Sequence, residues 1–301
     1  MRLFLVRHGE TVDNVAGIYA GTRDSPLTAH GVLQARRLGA HLAALAGGIG
    51  PVRHLFSSDL CRAVETAQAI IDAQAAAAAL AAPLPAGKDE APSDRGGRGD
   101  GVHADGMQPP LKLVQLPELR ERSFGSAEGK NYGAAVTDAE SREQMRGRAE
   151  RFVKDHLMPL FEQQYAGAGG CIVVVAHGLI LDSLLRVLLA RFGPAELARL
   201  GEKRTAVWSN TGYVEALVEF GPTSMADDGV GASSSSTAVA VASGDRTPQR
   251  RITLSIVGVN VLKHLEGLKK TRGGIGSAQF DKRQRTMDSF FAPAAKKAKR
   301  E

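Results

Sequence analysis

Leu3-Phe4-Leu5-Val6-Arg7-His8-Gly9-Glu10-Thr11 begins with four consecutive apolar residues and breaks off at a charge. An apolar run without polar alternation predicts a strand buried on both faces, as in the middle of a parallel sheet. Arg7 and His8 then fall at its carboxyl end, the edge where open α/β sheets gather ligands, and Gly9 lets the backbone turn sharply there. The pattern returns far downstream as Cys171-Ile172-Val173-Val174-Val175-Ala176-His177-Gly178. Either histidine alone has a plain reading as a satisfied residue at a strand end, and for His177 the two readings are evenly matched. Two such strands side by side would bring both imidazoles and Arg7 to one edge. That combination suits a phosphate, because a guanidinium pairs with its oxygens and an imidazole can attack phosphorus or donate a proton.

The segments between the two strands add to that edge. Gly21-Thr22-Arg23-Asp24-Ser25-Pro26-Leu27-Thr28 is a turn-rich loop, and Thr28 is a plausible N-cap for a helix with Leu38, Leu42 and Leu45 on one face, ended by Gly47-Gly48. Val52 to Phe56 predicts a second strand. Ser57-Ser58-Asp59 then caps a helix whose Leu60, Val64, Ala67 and Ile71 share a face. Arg62 lies in its first turn, where free amides and the helix dipole already favour anions. A strand from Leu111 to Leu116 leads into a loop dense in acids, bases and glycines, Glu118 to Lys130, from which a carboxyl group could face the histidine pair. Ser141 to Leu160 and Leu179 to Phe192 have helical character, and Arg148 is placed to form salt bridges. Val207 to Asn210 and Gly212 to Phe220 predict another strand pair or a bent strand, and Arg251 to Val259 a further alternating strand.

Two stretches break the pattern. Residues 75–110 run from alanines into prolines, glycines and scattered charge, and residues 223–249 centre on Ser233 to Ser236. Both are predicted as low-complexity insertions without a core of their own. The chain is thus expected to hold one folded domain over residues 1–266 and a disordered tail over 267–301.

With 301 residues and 43% hydrophobic content, the chain can bury a substantial core. The run Leu3 to Val6 is too short for a signal peptide and no later run approaches membrane-spanning length, so an intracellular protein without a membrane partner is expected. Cys61 and Cys171 match no zinc or redox spacing and predict two reduced, buried thiols, with no metal site. The formal net charge of +6 is concentrated at the end: residues 268–301 hold ten Lys and Arg against three Asp and Glu, which leaves the preceding residues at −1.

Taken together, these segments resemble the histidine phosphatase superfamily, the phosphoglycerate mutase-like fold. The matching residues, in order, are Arg7-His8-Gly9-Glu10-Thr11 with Asn14; Asp24-Ser25-Pro26-Leu27-Thr28 with Gly31; Ser57-Ser58-Asp59-Leu60 with Arg62-Ala63 and Thr66-Ala67; Leu119-Arg120-Glu121 with Phe124-Gly125 and Glu128-Gly129; and Ala176-His177-Gly178. The resemblance implies an α/β three-layer sandwich with a mostly parallel central sheet flanked by helices. It implies that His8 is the nucleophile, that Arg7, Arg62 and His177 hold the phosphoryl group, and that Glu121 is the proton donor. Asn14, Thr22 and Asn210 carry over as phosphate-pocket or substrate contacts, and no cofactor or metal is needed. Phosphate monoesters demand accelerations of up to ~10²¹-fold while one general acid supplies roughly 10²–10⁴, so charge stabilisation must carry much of the rest. The long insertions favour a phosphatase acting on a phosphorylated substrate. A mutase-type phosphoryl transferase and an inactive binding platform are the alternatives.

The tail carries a second resemblance. Gln284, Met287, Phe290 and Phe291 fill every defining position of the motif by which replication and repair proteins bind the sliding clamp PCNA. One helical turn would present Met287 and the two phenylalanines as an apolar plug, with Gln284 hydrogen-bonding beside it. Lys296-Lys297-Ala298-Lys299-Arg300 resembles a nuclear localisation signal, and the same charge would favour nonspecific DNA contact. A nuclear protein, present also in the cytoplasm, is the expectation.

Overall fold

The structure is a computed structural model that describes residues 1–81, 110–163, 170–200, 206–221, 251–271 and 275–281. A single six-stranded sheet organises it. In chain order the strands are β1 (Arg2–Arg7), β2 (Val52–Ser57), β3 (Leu113–Gln115), β4 (Cys171–Ala176), β5 (Tyr213–Gly221) and β6 (Arg251–Val261), and across the sheet they run β3-β2-β4-β1-β5-β6. The first four strands in that spatial order are parallel, while β5 and β6 close the far edge antiparallel. The expected mostly parallel sheet is therefore present as a mixed one, flanked by helices on both faces.

Strand β4 is the centre. All six of its side chains are buried, and they alternate between two cores. Ile172, Val174 and Ala176 join Leu3 and Leu5 of β1 under helices α4 (Arg142–Phe152), α5 (Met158–Gln163) and α6 (Gly178–Phe192). Cys171, Val173 and Val175 join Phe4 and Val6 beneath α2 (Ala29–Ile49) and α3 (Cys61–Ala81). A short helix, α1 (Val12–Ala16), leaves the end of β1, and α7 (Pro194–Leu200) follows α6. The uninterrupted apolar runs are explained by this sandwich, since each face of the strand needs its own apolar cover. Strands β1 and β4 pair in parallel with Arg7 opposite Ala176, so His8 and His177 leave the sheet side by side.

Local chemistry sets the helix starts. Thr28 accepts the Gly31 amide at the head of α2, and Ser58 accepts the Leu60 amide just before α3. Asp24 reaches across to accept the Cys61 amide, placing a carboxylate at the positive end of α3. Between α4 and α5 the chain makes a π turn, Val153–Leu157, without breaking the buried face.

Three boundaries differ from expectation. Ala75 to Ala81 belong to α3 as exposed closing turns instead of opening an insertion, because alanine is the best helix former and needs no packing to stay helical. The rest of that insertion, residues 82–109, and all of 223–249 lie outside the described residues, as do Gln284, Met287, Phe290 and Phe291. The strand expected over Leu111 to Leu116 shortens to Leu113–Gln115. Finally, packing does not stop at residue 266: Gln279 bridges to Thr28, and the Phe280 amide donates to the Leu27 carbonyl at 3.0 Å. Both cysteines are free; Cys171 is buried, Cys61 is half-buried, and burial pushes each thiol up to about 11.

Candidate active site

The carboxyl ends of β1 and β4 meet the head of α3. There the His8 and His177 rings stand with centroids 5.0 Å apart. His8 is 4% exposed and His177 is fully buried. The His8 backbone is pinned on both sides, its amide donating to the Ala176 carbonyl at 3.0 Å and its carbonyl accepting the Thr211 amide at 3.1 Å. Its Nδ1 lies 2.7 Å from the Gly9 carbonyl oxygen, which can only accept, so Nδ1 carries the proton. Nε2 of His8 is left with a free lone pair.

His177 has the opposite handedness of protons. Its Nδ1 accepts from Nε of Arg62 at 3.2 Å, which puts its own proton on Nε2, and that buried nitrogen has no partner. Arg62, 1% exposed, also donates to the carbonyls of Arg23 and Gly21, both at 2.7 Å. Arg7 donates to the Trp208 carbonyl at 2.7 Å, while its Nε is a second buried donor without a partner. Burial works against the charge of both guanidinium groups, and the Glu121 carboxylate works for it. Burial first, then the Arg62 and Arg7 charges, hold His8 well below its ordinary 6.5; burial and Arg62 do the same to His177. Both rings are neutral at physiological pH.

Glu121 faces this cluster from the loop after β3. Its carboxylate accepts the Arg122 amide at 2.9 Å and the Leu179 amide at 3.2 Å, the latter in the first turn of the helix that His177 caps. One helix start thereby fixes both groups. Arg7, His8, Asn14, Arg62 and Glu121 line a cleft of about 1470 Å³, with Tyr19, Phe124 and Tyr132 along one wall. Tyr19 packs on both other rings, at 4.6 and 4.9 Å between centroids.

Of the residues expected at the pocket, His177, Thr22 and Asn210 do not line the cleft. Thr22 is not among the residues lining the cleft, and its hydroxyl donates to Glu128 at 3.0 Å. Asn210 spends its side-chain amide on the His8 carbonyl at 3.2 Å and on Oδ1 of Asn14 at 3.0 Å, so it sets the backbone behind the His8 ring. Sequence reasoning missed Trp208, whose carbonyl orients Arg7. It also left unused Thr66, whose hydroxyl accepts the Gly9 amide at 3.0 Å and donates to the Arg62 carbonyl at 2.7 Å. A threonine one helical turn after Arg62 was the available signal. Among the described residues, no group of three or more His, Cys, Asp or Glu side chains is arranged to hold a metal.

The cleft thus carries two guanidinium groups and the neutral His8 imidazole on its lining, with the neutral His177 ring 5.0 Å from that of His8, an arrangement that can receive an anion. The model of the histidine phosphatase superfamily (branch 1) matches residues 3–83. A probable phosphatase of Schizosaccharomyces pombe is 28% identical over 299 residues, covering 95% of this chain and 78% of that relative. The probable phosphoglycerate mutase GpmB of Yersinia pestis is 28% identical over 228 residues, covering 72% of this chain and 86% of the relative. Among solved structures, mycobacterial hydrolase 1 shares the fold with a TM-score of 0.53 at 20% identity, covering 86% of this chain and 98% of that one. The family model thus matches residues 3–83, and the relatives similar to this chain are named a probable phosphatase and a probable phosphoglycerate mutase.

Proposed function

We propose that the protein hydrolyses phosphate monoesters through a phosphohistidine at His8. One observation carries the reading: two buried donors without partners, Nε of Arg7 and Nε2 of His177, accompany a neutral His8 whose Nδ1–H is already committed to the Gly9 carbonyl. Buried polar groups are almost always paired, so orphaned donors beside a nucleophile mark where an anion belongs. Nε2 of His8 forms the bond to phosphorus as the ester oxygen departs, and Glu121, entering this step as the carboxylic acid, supplies that oxygen's proton and is left as the carboxylate. Water then attacks phosphorus, gives a proton back to Glu121, and breaks the P–N bond. Arg7, Arg62 and His177 balance the equatorial oxygens throughout. Hydrolysis is favoured over return of the phosphoryl group to a bound sugar acid because the relative matching 95% of the chain is named a probable phosphatase.

The test is release of phosphate from p-nitrophenyl phosphate, with an acid quench to trap the phosphoenzyme. Wild type should turn over and label at His8, and His8→Ala should do neither. Labelling at His177 would reverse the two roles, and turnover by His8→Ala would remove the proposed intermediate.

For the tail, the reading is recruitment to PCNA through Gln284, Met287, Phe290 and Phe291, with Lys296 to Arg300 directing the protein to the nucleus. It is supported by the spacing of those residues alone.

A further inference from the structure

Thr211 adopts φ 56°, a left-handed conformation that β-branched residues rarely enter. Such a residue persists only when its surroundings over-determine it, and here they do. Its amide donates to the His8 carbonyl at 3.1 Å. Its hydroxyl donates to the Asn210 carbonyl at 2.8 Å and lies 3.0 Å from Nε2 of His264. With the hydroxyl proton spent on Asn210, His264 must be the donor in that second bond. Nearby Asn260, also left-handed at φ 49°, accepts the Ser209 amide at 2.9 Å and donates to the Ser209 hydroxyl at 3.1 Å. A side chain on Gly212 would collide with Asn260, so the two segments are in close contact. The loop 208–212 therefore holds the backbone partners of both Arg7 and His8, and it is gripped from behind by residues 260 and 264.

A second grip lies on the other side of His8. Lys270 donates from Nζ to both carboxylate oxygens of Glu10, at 2.8 and 2.9 Å, and Thr28 donates its hydroxyl to the same carboxylate at 2.8 Å. Beyond it, the Ala278 carbonyl accepts the Ala29 amide at 3.0 Å, and the Arg36 guanidinium sits 5.7 Å from the centre of the Phe280 ring. None of these C-terminal residues lines the cleft.

We propose that residues 260–271 and 275–280 form a brace that positions His8, with His264 acting through Thr211 and Lys270 acting through Glu10. Both are positioning residues. Their kinetic signature rests on the phosphohistidine reading, whereas the state of the His8 ring does not. A misplacement of the nucleophile by about 1 Å can lower turnover up to about 10²-fold without weakening substrate binding.

The experiment pairs steady-state hydrolysis of p-nitrophenyl phosphate with ¹⁵N-imidazole spectra, in which His8 is assigned by its loss in His8→Gln. Lys270→Met and His264→Leu should each lower kcat by about tenfold or more with KM within about twofold, and should turn the single Nδ1–H signal of His8 into a mixture. Lys270→Arg and His264→Gln, which keep a donor in place, should restore both readouts. Lys270 is one-third exposed, so its variants are expected to stay folded even if His264→Leu does not. If wild type proves inactive, the functional reading fails and the spectra alone decide the brace. An unchanged His8 signal in Lys270→Met, or unchanged kcat in an active enzyme, overturns the proposal.

Discussion

Arg62 donates through Nε to Nδ1 of His177 at 3.2 Å, and that single bond decides which nitrogen of His177 points its proton at the site. Lysine could keep the charge but not the planar fork that also reaches the Gly21 and Arg23 carbonyls. Arg62→Lys should therefore lower kcat about 10²–10³-fold, the usual effect of removing one oxyanion donor. Leaving the buried carbonyls unpaired should also cost about 1–3 kcal/mol of stability. Turnover of p-nitrophenyl phosphate and urea unfolding measure the two effects separately.

Acid should destabilise the fold in a defined window. Burial, with a smaller effect from His41, lowers His264 to about 4, and His8 and His177 are also held well below 6.5. Between those values the unfolded chain binds protons that the native state refuses, so stability is full above about 6.5 and is lost as pH falls toward 4. His264 alone accounts for at most about 3 kcal/mol of this. Thermal melting should drop steadily from pH 6.5 to 4, with a shallower slope in His264→Gln; parallel slopes would remove His264 from the account.

The turn after His8 has no room for a methyl group. A Cβ on Gly9 would lie 2.7 Å from the Gly31 carbonyl oxygen, and a Cβ on Gly31 would overlap the Glu10 carbonyl. Backbone cannot step aside as a flexible side chain would. Gly31→Ala should cost at least about 1–3 kcal/mol in urea unfolding and should reduce turnover, because the displaced atoms flank His8, the proposed nucleophile. A variant as stable and active as wild type would contradict the close approach.

The proposed tail recruitment is expected to be separable from the proposed hydrolysis. Phe290→Ala combined with Phe291→Ala should abolish binding to purified PCNA by calorimetry while leaving phosphate release unchanged. Undiminished clamp binding would defeat the tether.

The sheet and the meeting of His8, His177 and Arg62 at its edge were legible because the decisive signals are local. Two apolar runs ending in His-Gly define two central strands, and the residue after each strand inherits its place from the sheet. Arg62 was legible for a similar reason, as a cation in the first turn of a capped helix. Thr22 and Asn210 were assigned by analogy of position, but a side chain's partner is a tertiary matter: one hydroxyl reaches Glu128, and one amide reaches the carbonyl of His8. Lys270 and Phe280 were hidden more thoroughly. Their segment is basic and glycine-rich, and nothing in its own pattern reveals that it lies against Glu10 and Leu27.

Strand β4 acts as a ruler for the whole molecule. Its side chains are dealt alternately to two separate cores, so inserting or deleting one residue would send every apolar group to the wrong face and swing position 177 to the opposite side of the sheet. Sequence length is therefore frozen in those six residues. Extra residues find room instead where the chain has left the sheet, or at irregularities such as those that β2 carries between Val52 and His54 and β5 carries between Tyr213 and Ala216.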